Sequence, residues 1–353
     1  MIKDAYKVIA VMSGTSLDGI DLIYSHYKKA DQWHYKIVNA TTVPYAENWR
    51  KLLMDLSEQS LESLRTIDVD YCLHLADTIK AFIDSNAIKD IDFIASHGHT
   101  ALHQPDKKLT YQIGNQKILA ESLKRKVICD FRVQDVALGG QGAPLVPIGD
   151  KLLFSDFDFC LNLGGFANIS FDQKHERIAF DICPVNIVLN HYVSQLNVEY
   201  DDKGKIAFGG TVNLKLLDEL NHLEFYTLKA PKSLGIEWVE KHVFPLINRY
   251  GLDVPDILRT VVEHMALQIS RHLNRVNKRV LLTGGGAYND FLIQRLRYLS
   301  TSEIIIPDEN IIEYKEALIF GLLGILKDRK EVNCLKSVTG AKKDHSSGQV
   351  LNP

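Results

Sequence analysis

Three glycine-rich turns each follow an apolar run: Gly14 and Gly19 bracket one after KVIAVM, Gly164 and Gly165 form a second after FCLNL, and Gly284, Gly285 and Gly286 form a third after RVLLT. Glycine tolerates positive φ and lets backbone amides approach an anion closely, so a turn of this kind can cradle a phosphate. Around the first turn Ser13, Thr15 and Ser16 add hydroxyl donors, and Asp18 offers a carboxylate to a magnesium ion, directly or through water. A lone Gly-Gly is more simply an ordinary tight hairpin. Three such turns at strand ends favour phosphate binding. No G-x-x-x-x-G-K-[ST] occurs, and GGGAYN lacks the third glycine of G-x-G-x-x-G, so a nucleotide site of another architecture is required.

The elements that must carry these turns can be read from periodicity. Residues 7–12 read as a buried strand, 14–19 as a turn and 20–27 as a returning strand, together a β-hairpin. The pattern recurs near the middle, with strands at 157–163 and 167–171 around Gly164 and Gly165. Each opening is followed by interleaved helices and strands: helices at 49–57 and 68–86 with strands at 92–96 and 126–131, then strands at 177–180 and 279–282 with helices at 254–277 and 313–327. Interleaving of this kind predicts an α/β class. The glycine and proline cluster GGQGAPLVP at 139–147 reads as the joint between two domains, with a short helix after it. The predicted domains are 1–143, joined by 328–353, and 144–327; residues 339–353 read as polar and irregular.

A chain of 353 residues suits two domains, and 46% apolar with 24% charged residues is an ordinary globular composition. A net charge of −3, from 41 basic and 44 acidic side chains, supplies no general attraction for nucleic acid or an anionic membrane. The five cysteines are dispersed and never in C-x-x-C spacing, which predicts neither a disulfide framework nor a zinc site. With a five-residue apolar run at the N-terminus and no membrane-length segment, the expectation is a cytoplasmic protein with small-molecule partners.

The stretches MSGTSLDGID, SHGHTALHQP, YQIGN, DFRVQDVALGGQGAPLVP, NLGGFANIS, PKSLG, TGGGAYN, EALIFGLLG and SVTGA occur in order from residue 9 to about residue 341. Together they resemble the anhydro-N-acetylmuramic acid kinases over nearly the whole chain. The resemblance implies two ribonuclease-H-like domains of the actin, sugar kinase and Hsp70 superfamily, flanking an ATP cleft. It also implies the reaction: water opens a 1,6-anhydro ring while Mg-ATP phosphorylates the released O6, giving N-acetylmuramic acid 6-phosphate and ADP in peptidoglycan recycling. A homodimer is a further implication. The expected ATP-binding set is Gly14, Thr15, Ser16, Leu17, Asp18, Gly19, Ile20 and Asp21 from the first turn, with Gly164, Gly165, Gly284, Gly285 and Gly286.

The resemblance implies Asp181 as the base that activates water, whereas an Asp after a strand is otherwise a turn residue. The family pattern there resembles D-T-G-P-G-N; this chain reads D-I-C-P-V-N, keeping Asp181, Pro184 and Asn186, and Ile236 replaces an arginine after PKSLG. A kinase for another amino sugar is therefore a second reading, and a non-catalytic sensor of the same fold a third. Arg132 is expected to clamp a carboxylate or the sugar, against a plain ion pair. His97 and Thr100, on a loop after the strand at 92–96, with Asn186, are expected substrate contacts. The trio His97, His99 and His103 lacks a clear fourth zinc ligand, which favours hydrogen bonding. Glu316 matches a family glutamate facing the catalytic region, so the resemblance implies a catalytic role for it beside Asp181; otherwise it answers the dipole of a helix that it begins. Asp202 either shapes the cleft or belongs to a solvated turn.

Overall fold

The computed structural model describes residues 3–14 and 17–353. It divides into two compact units, one comprising Met1–Leu153 with Tyr314–Pro353, the other Phe154–Glu313. Residues 144–153 and 314–327, assigned above to the second domain, thus belong to the first. The reason is packing: Gly149, in the helix Val146–Leu153, lies directly against Ile319 of the apolar helix Glu309–Asp328.

In the first unit β1 (Ala5–Ser13), β2 (Ile20–Lys29) and β3 (Trp33–Val43) form an antiparallel meander. β4 (Phe93–Ser96) joins β1 in parallel, β7 (Val127–Cys129) joins β4, and β13 (Gln349–Leu351) closes the edge, giving the order β13-β7-β4-β1-β2-β3. A separate hairpin pairs β5 (His99–Gln104) with β6 (Leu109–Ile113). The period-2 alternation of β1 serves two faces. Ile9 and Val11 cluster with Leu64, Cys72, Leu75 and Ile79 of the helix Leu61–Ser85, whose first turn is capped by Ser60 accepting from the Ser63 N–H at 3.1 Å. Ala10 lies on the other face, beside Gly321 of the helix Glu309–Asp328.

That helix can approach the sheet because Gly321 and Gly324 stand one turn apart, against Tyr27 and Ala10, and against Phe93 and Ala95. The Tyr27 hydroxyl donates to the Leu318 carbonyl at 2.8 Å, so the contact is bonded as well as close. A side chain at 321 would run into the Tyr27 hydroxyl. Gly321→Val is expected to cost about 1–3 kcal/mol through overpacking. An unchanged denaturation midpoint would remove the close approach as a source of stability.

The second unit repeats the topology: β8 (Phe159–Leu163), β9 (Phe166–Gln173) and β10 (Glu176–Pro184) are antiparallel neighbours, and β11 (Arg279–Thr283) and β12 (Glu303–Ile305) extend β8 in parallel. Its order is β10-β9-β8-β11-β12. The helix Val254–Leu273 covers the sheet, capped by Asp253 and presenting Leu258, Val262, Met265 and Ile269 to the core. The C-terminal stretch predicted irregular instead supplies β13 and a backbone bridge between Cys334 and His345. Its few apolar residues suffice because β7 provides the pairing partner.

Candidate active site

In the first unit β1 delivers Ser13 to the start of the glycine turn. The Ser13 Oγ lies 2.6 Å from the Tyr45 hydroxyl and 2.8 Å from His99 Nδ1, and accepts from the Tyr71 hydroxyl at 3.0 Å. Burial pushes the His99 pKa down to about 4, so the ring is neutral and serves as a hydrogen-bond partner. Of the turn itself, Thr15 and Ser16 lie outside the described residues. Leu17 adopts φ +60° and its N–H donates to the Gly14 carbonyl at 3.4 Å. Gly19 is required by close approach, since a Cβ there would stand 2.5 Å from the Val43 carbonyl oxygen. Asp18 is exposed, Ile20 is buried, and Asp21 accepts from Thr42 Oγ1 at 2.6 Å.

His97, Arg132 and Glu316 share this unit. The Arg132 Nε donates to His97 Nε2 at 2.9 Å and its Nη1 to the Gly142 carbonyl at 2.7 Å. Because Nε2 accepts, the His97 proton sits on Nδ1, which donates to the Gly98 carbonyl at 2.9 Å. Burial, then the adjacent guanidinium, hold the His97 pKa well below its ordinary value, so the ring stays neutral. Thr100 lies in β5 and not in a loop, because His99 resumes extended pairing with Ile113 directly after Gly98 turns at φ +71°. His103 Nδ1 pairs with Thr110 Oγ1 at 3.1 Å. The three histidines thus serve separate hydrogen bonds.

Glu316 lies two turns inside the helix Glu309–Asp328, which removes the helix-dipole explanation for it. Glu316 is exposed to solvent. Desolvation raises its pKa; Arg132 opposes the rise and Asp21 adds to it. Arg132, desolvated in turn, is pulled back towards its ordinary pKa chiefly by Glu316. A guanidinium and a glutamate that hold each other's charge are suited to binding a polar, partly ionic ligand.

In the second unit Asp181 sits within β10, three residues before its end, where sequence periodicity placed it just past a strand. The strand continues through a bulge between Asp181 and Cys183. The Asp181 N–H donates to the Lys232 carbonyl at 3.0 Å, and its Oδ2 accepts from the Leu234 N–H at 2.8 Å. PKSLG therefore fixes the carboxyl's orientation. Desolvation raises the Asp181 pKa, with the Leu234 amide pulling against it.

The two glycine turns of this unit meet. Gly284 has φ +83°, and a Cβ there would lie 2.7 Å from Asn162 Oδ1 and 2.8 Å from the Leu163 carbonyl oxygen. The Gly165 carbonyl accepts from the Val185 N–H at 2.8 Å, and the Gly164 carbonyl from the Asn186 N–H at 3.3 Å. Asn186 Nδ2 also donates to the Leu163 carbonyl at 3.4 Å, while Gly285 would place a Cβ 3.7 Å from that same nitrogen. Asn186 is thus held beside both turns. Gly165 and Gly285 face solvent, and Gly286 packs on Leu163.

The D-I-C-P-V-N departure has a structural explanation: Ile182, Cys183 and Val185 are 1%, 0% and 0% exposed and belong to the unit's apolar core. Asp202 is exposed and pairs with Lys205, leaving the solvated-turn reading for it. Its neighbour Asp201 is the structural residue, accepting from the Ile206 and Ala207 N–H groups at 2.8 and 2.9 Å. Sequence reading also missed Tyr45, Tyr71 and Asp135; Tyr45 and Tyr71 bond each other across 26 positions and Asp135 bonds Thr339 across 204, and no local spacing announces such pairs.

Both sheets share one plan: the first three strands are antiparallel, and the fourth and fifth run parallel to the first, in the order 3-2-1-4-5. Two such ribonuclease-H-like units, each with a glycine turn between its first two strands, define the fold of the actin, sugar kinase and Hsp70 ATPases. Residues 6–353 match the family model for anhydro-N-acetylmuramic acid kinase. The chain is 33% identical to the anhydro-N-acetylmuramic acid kinase of Francisella tularensis subsp. novicida, with 97% of each chain covered. It is 32% identical to those of Haemophilus influenzae, with 97% of each covered, and of Bacillus cereus, with 98% and 99% covered. The chain belongs to the anhydro-N-acetylmuramic acid kinase family. No helix among the described residues is long and apolar enough to cross a membrane.

Proposed function

We propose that the protein opens 1,6-anhydro-N-acetylmuramic acid with water and transfers the γ-phosphoryl group of ATP to the released O6, yielding N-acetylmuramic acid 6-phosphate and ADP. The observation that carries this reading is Asp181, a carboxyl aimed by the Leu234 amide and raised in pKa by desolvation. Such a group is a competent base near neutral pH. In the proposed step the water oxygen bonds to C1 as the C1–O6 bond breaks, and O6 bonds to the γ-phosphorus as ADP leaves. One water proton passes to Asp181 and then to solvent.

Arg132, His97 and Thr100 are assigned to the sugar and its lactyl carboxylate, with Glu316 balancing the Arg132 charge. The turn residues from Gly14 to Asp21, with Gly164, Gly165, Gly284, Gly285 and Gly286, are assigned to the nucleotide phosphates, and Asn186 to the substrate; among the described turn residues, Gly165 and Gly285 present exposed backbone. The exposed Asp18 carboxylate offers hard oxygen donors of the kind magnesium prefers, so Asp18 would hold that ion. When bound, magnesium neutralises phosphate charge. Peptidoglycan recycling in the cytoplasm, by a homodimer, is the proposed setting. The buried positions of Ile182, Cys183 and Val185 support the anhydro sugar over a different amino sugar, because the altered side chains face the core.

The test is to incubate the protein with Mg-ATP and the anhydro sugar and to weigh the product. A gain of one water and one phosphoryl group is expected. Phosphorylation without water uptake would point to another sugar kinase, and the absence of ADP would leave a non-catalytic binder.

A further inference from the structure

Behind Arg132 lies a buried carboxylate that the proposed chemistry does not use. Asp135 is fully buried, in the short helix Val133–Ala137. Its Oδ2 accepts from the Gly142 N–H at 2.7 Å, and Gly142 is the residue whose carbonyl receives Arg132 Nη1. Its Oδ1 accepts from Thr339 Oγ1 at 2.8 Å and from Cys334 Sγ at 3.0 Å, with His345 Nε2 3.5 Å away. Burial, then Asp135 itself, raise the Cys334 pKa, so the thiol keeps the proton that it donates. The carboxylate thus ties the loop carrying Arg132's acceptor to the segment 334–345.

The backbone repeats this tie. The Gln141 N–H donates to the Thr339 carbonyl at 2.8 Å, and the Lys342 N–H to the Leu138 carbonyl at 3.2 Å. Gly142 itself holds φ +69°, a conformation that needs an external restraint when two of its groups must point to fixed partners. Gly140 packs so closely on Asp135 that a side chain there would displace the carboxylate. A chain of contacts therefore runs from Thr339 and Cys334 through Asp135 and Gly142 to Arg132, and on to His97.

We propose that Asp135, gripped by the C-terminal segment, is the positioning residue that sets the Arg132 guanidinium for sugar binding. This rests on the assignment of Arg132 to the sugar. Asp135 touches neither sugar nor nucleotide in this scheme; it acts through the Gly142 carbonyl. Losing the restraint lets the guanidinium wander, which weakens sugar binding while leaving the nucleotide turns untouched.

Asp135→Asn is expected to raise the KM for the sugar about tenfold, the scale of one hydrogen bond to a charged group. The KM for ATP should stay within about twofold, a change too small to reflect a lost contact. Thr339→Val, which removes a single donor without emptying the site, should move the sugar KM in the same direction by about threefold and serves if Asp135→Asn fails to fold. The deciding measurement is a double-mutant cycle with Arg132→Ala. If Asp135 acts through Arg132, then Asp135→Asn adds no further rise in sugar KM once Arg132 is gone. Additive effects, or parallel increases in both KM values, would overturn the proposal while leaving Arg132 as the clamp. Arg132→Ala with an unchanged sugar KM would sink the assignment of Arg132 itself.

Discussion

Asp181→Asn is expected to lower kcat by about 10²–10⁴-fold, the usual worth of a positioned general base, with the KM for ATP little changed. The substitution keeps the volume and one oxygen, so the Leu234 N–H retains an acceptor. The stability effect has the opposite sign. Desolvation raises the carboxyl pKa in the folded state, so the charged form is disfavoured by folding. For an acid with a raised folded pKa, the stability contribution is complete below the unfolded pKa and is lost as pH rises through the folded one. Asp181→Asn should accordingly be more stable than wild type at neutral pH, and the gain should fade as pH falls below the ordinary carboxylate range. In wild type the acid limb of the kcat profile should lie above that range, since only the deprotonated form accepts a proton. Full turnover in the Asn variant would remove Asp181 from the role of base. A destabilised variant at neutral pH would contradict the desolvation argument.

The second large effect is expected at Gly284. A φ of +83° costs an alanine about 1–3 kcal/mol, and a Cβ 2.7 Å from Asn162 Oδ1 and 2.8 Å from the Leu163 carbonyl adds about 1–3 kcal/mol of overpacking. Gly284→Ala should therefore lower the unfolding free energy of the second unit by about 2–6 kcal/mol. Relief of the clash must push the turn at 284–286 away from the end of β8, so the KM for ATP should rise more than the KM for the sugar. Denaturant titration and two-substrate kinetics read the two effects separately. A wild-type melting curve with wild-type ATP kinetics would mean that the turn does not need glycine at 284.

Where the sequence was legible, a local pattern and a local cause coincided. β1, β8 and β11 are apolar runs ended by glycine, and all three glycine turns follow strands as expected. β3 escaped because it is an edge strand, alternately exposed and rich in polar residues, whose register comes from β2. The helix carrying Glu316 begins at Glu309, four residues before the predicted start at 313, and its first turns mix polar residues with Ile311 and Ile312, which concealed how deep in the helix Glu316 sits. The hairpin of β5 and β6 was hidden by its histidines and by a bulge between Thr100 and Leu102. Among the site residues, those in family-like motifs could be named in advance, but the long-range contacts that hold them could not. Asp135 meets Thr339 across 204 positions and Cys334 across 199, and no window of sequence contains such a pair.

The division of the chain has a consequence for synthesis. The second unit is one uninterrupted segment, Phe154–Glu313, whereas the first is split between Met1–Leu153 and Tyr314–Pro353. Emerging from a ribosome, the earlier-made half of the first unit must wait, lacking the helix that covers Tyr27 and the strand that pairs with β7, until residues 349–351 have been added. The later-made unit has all its strands in hand first. Vectorial synthesis, which ordinarily lets the N-terminal domain mature ahead of its C-terminal neighbour, here runs in reverse order. The unit that carries Arg132 is the last to close.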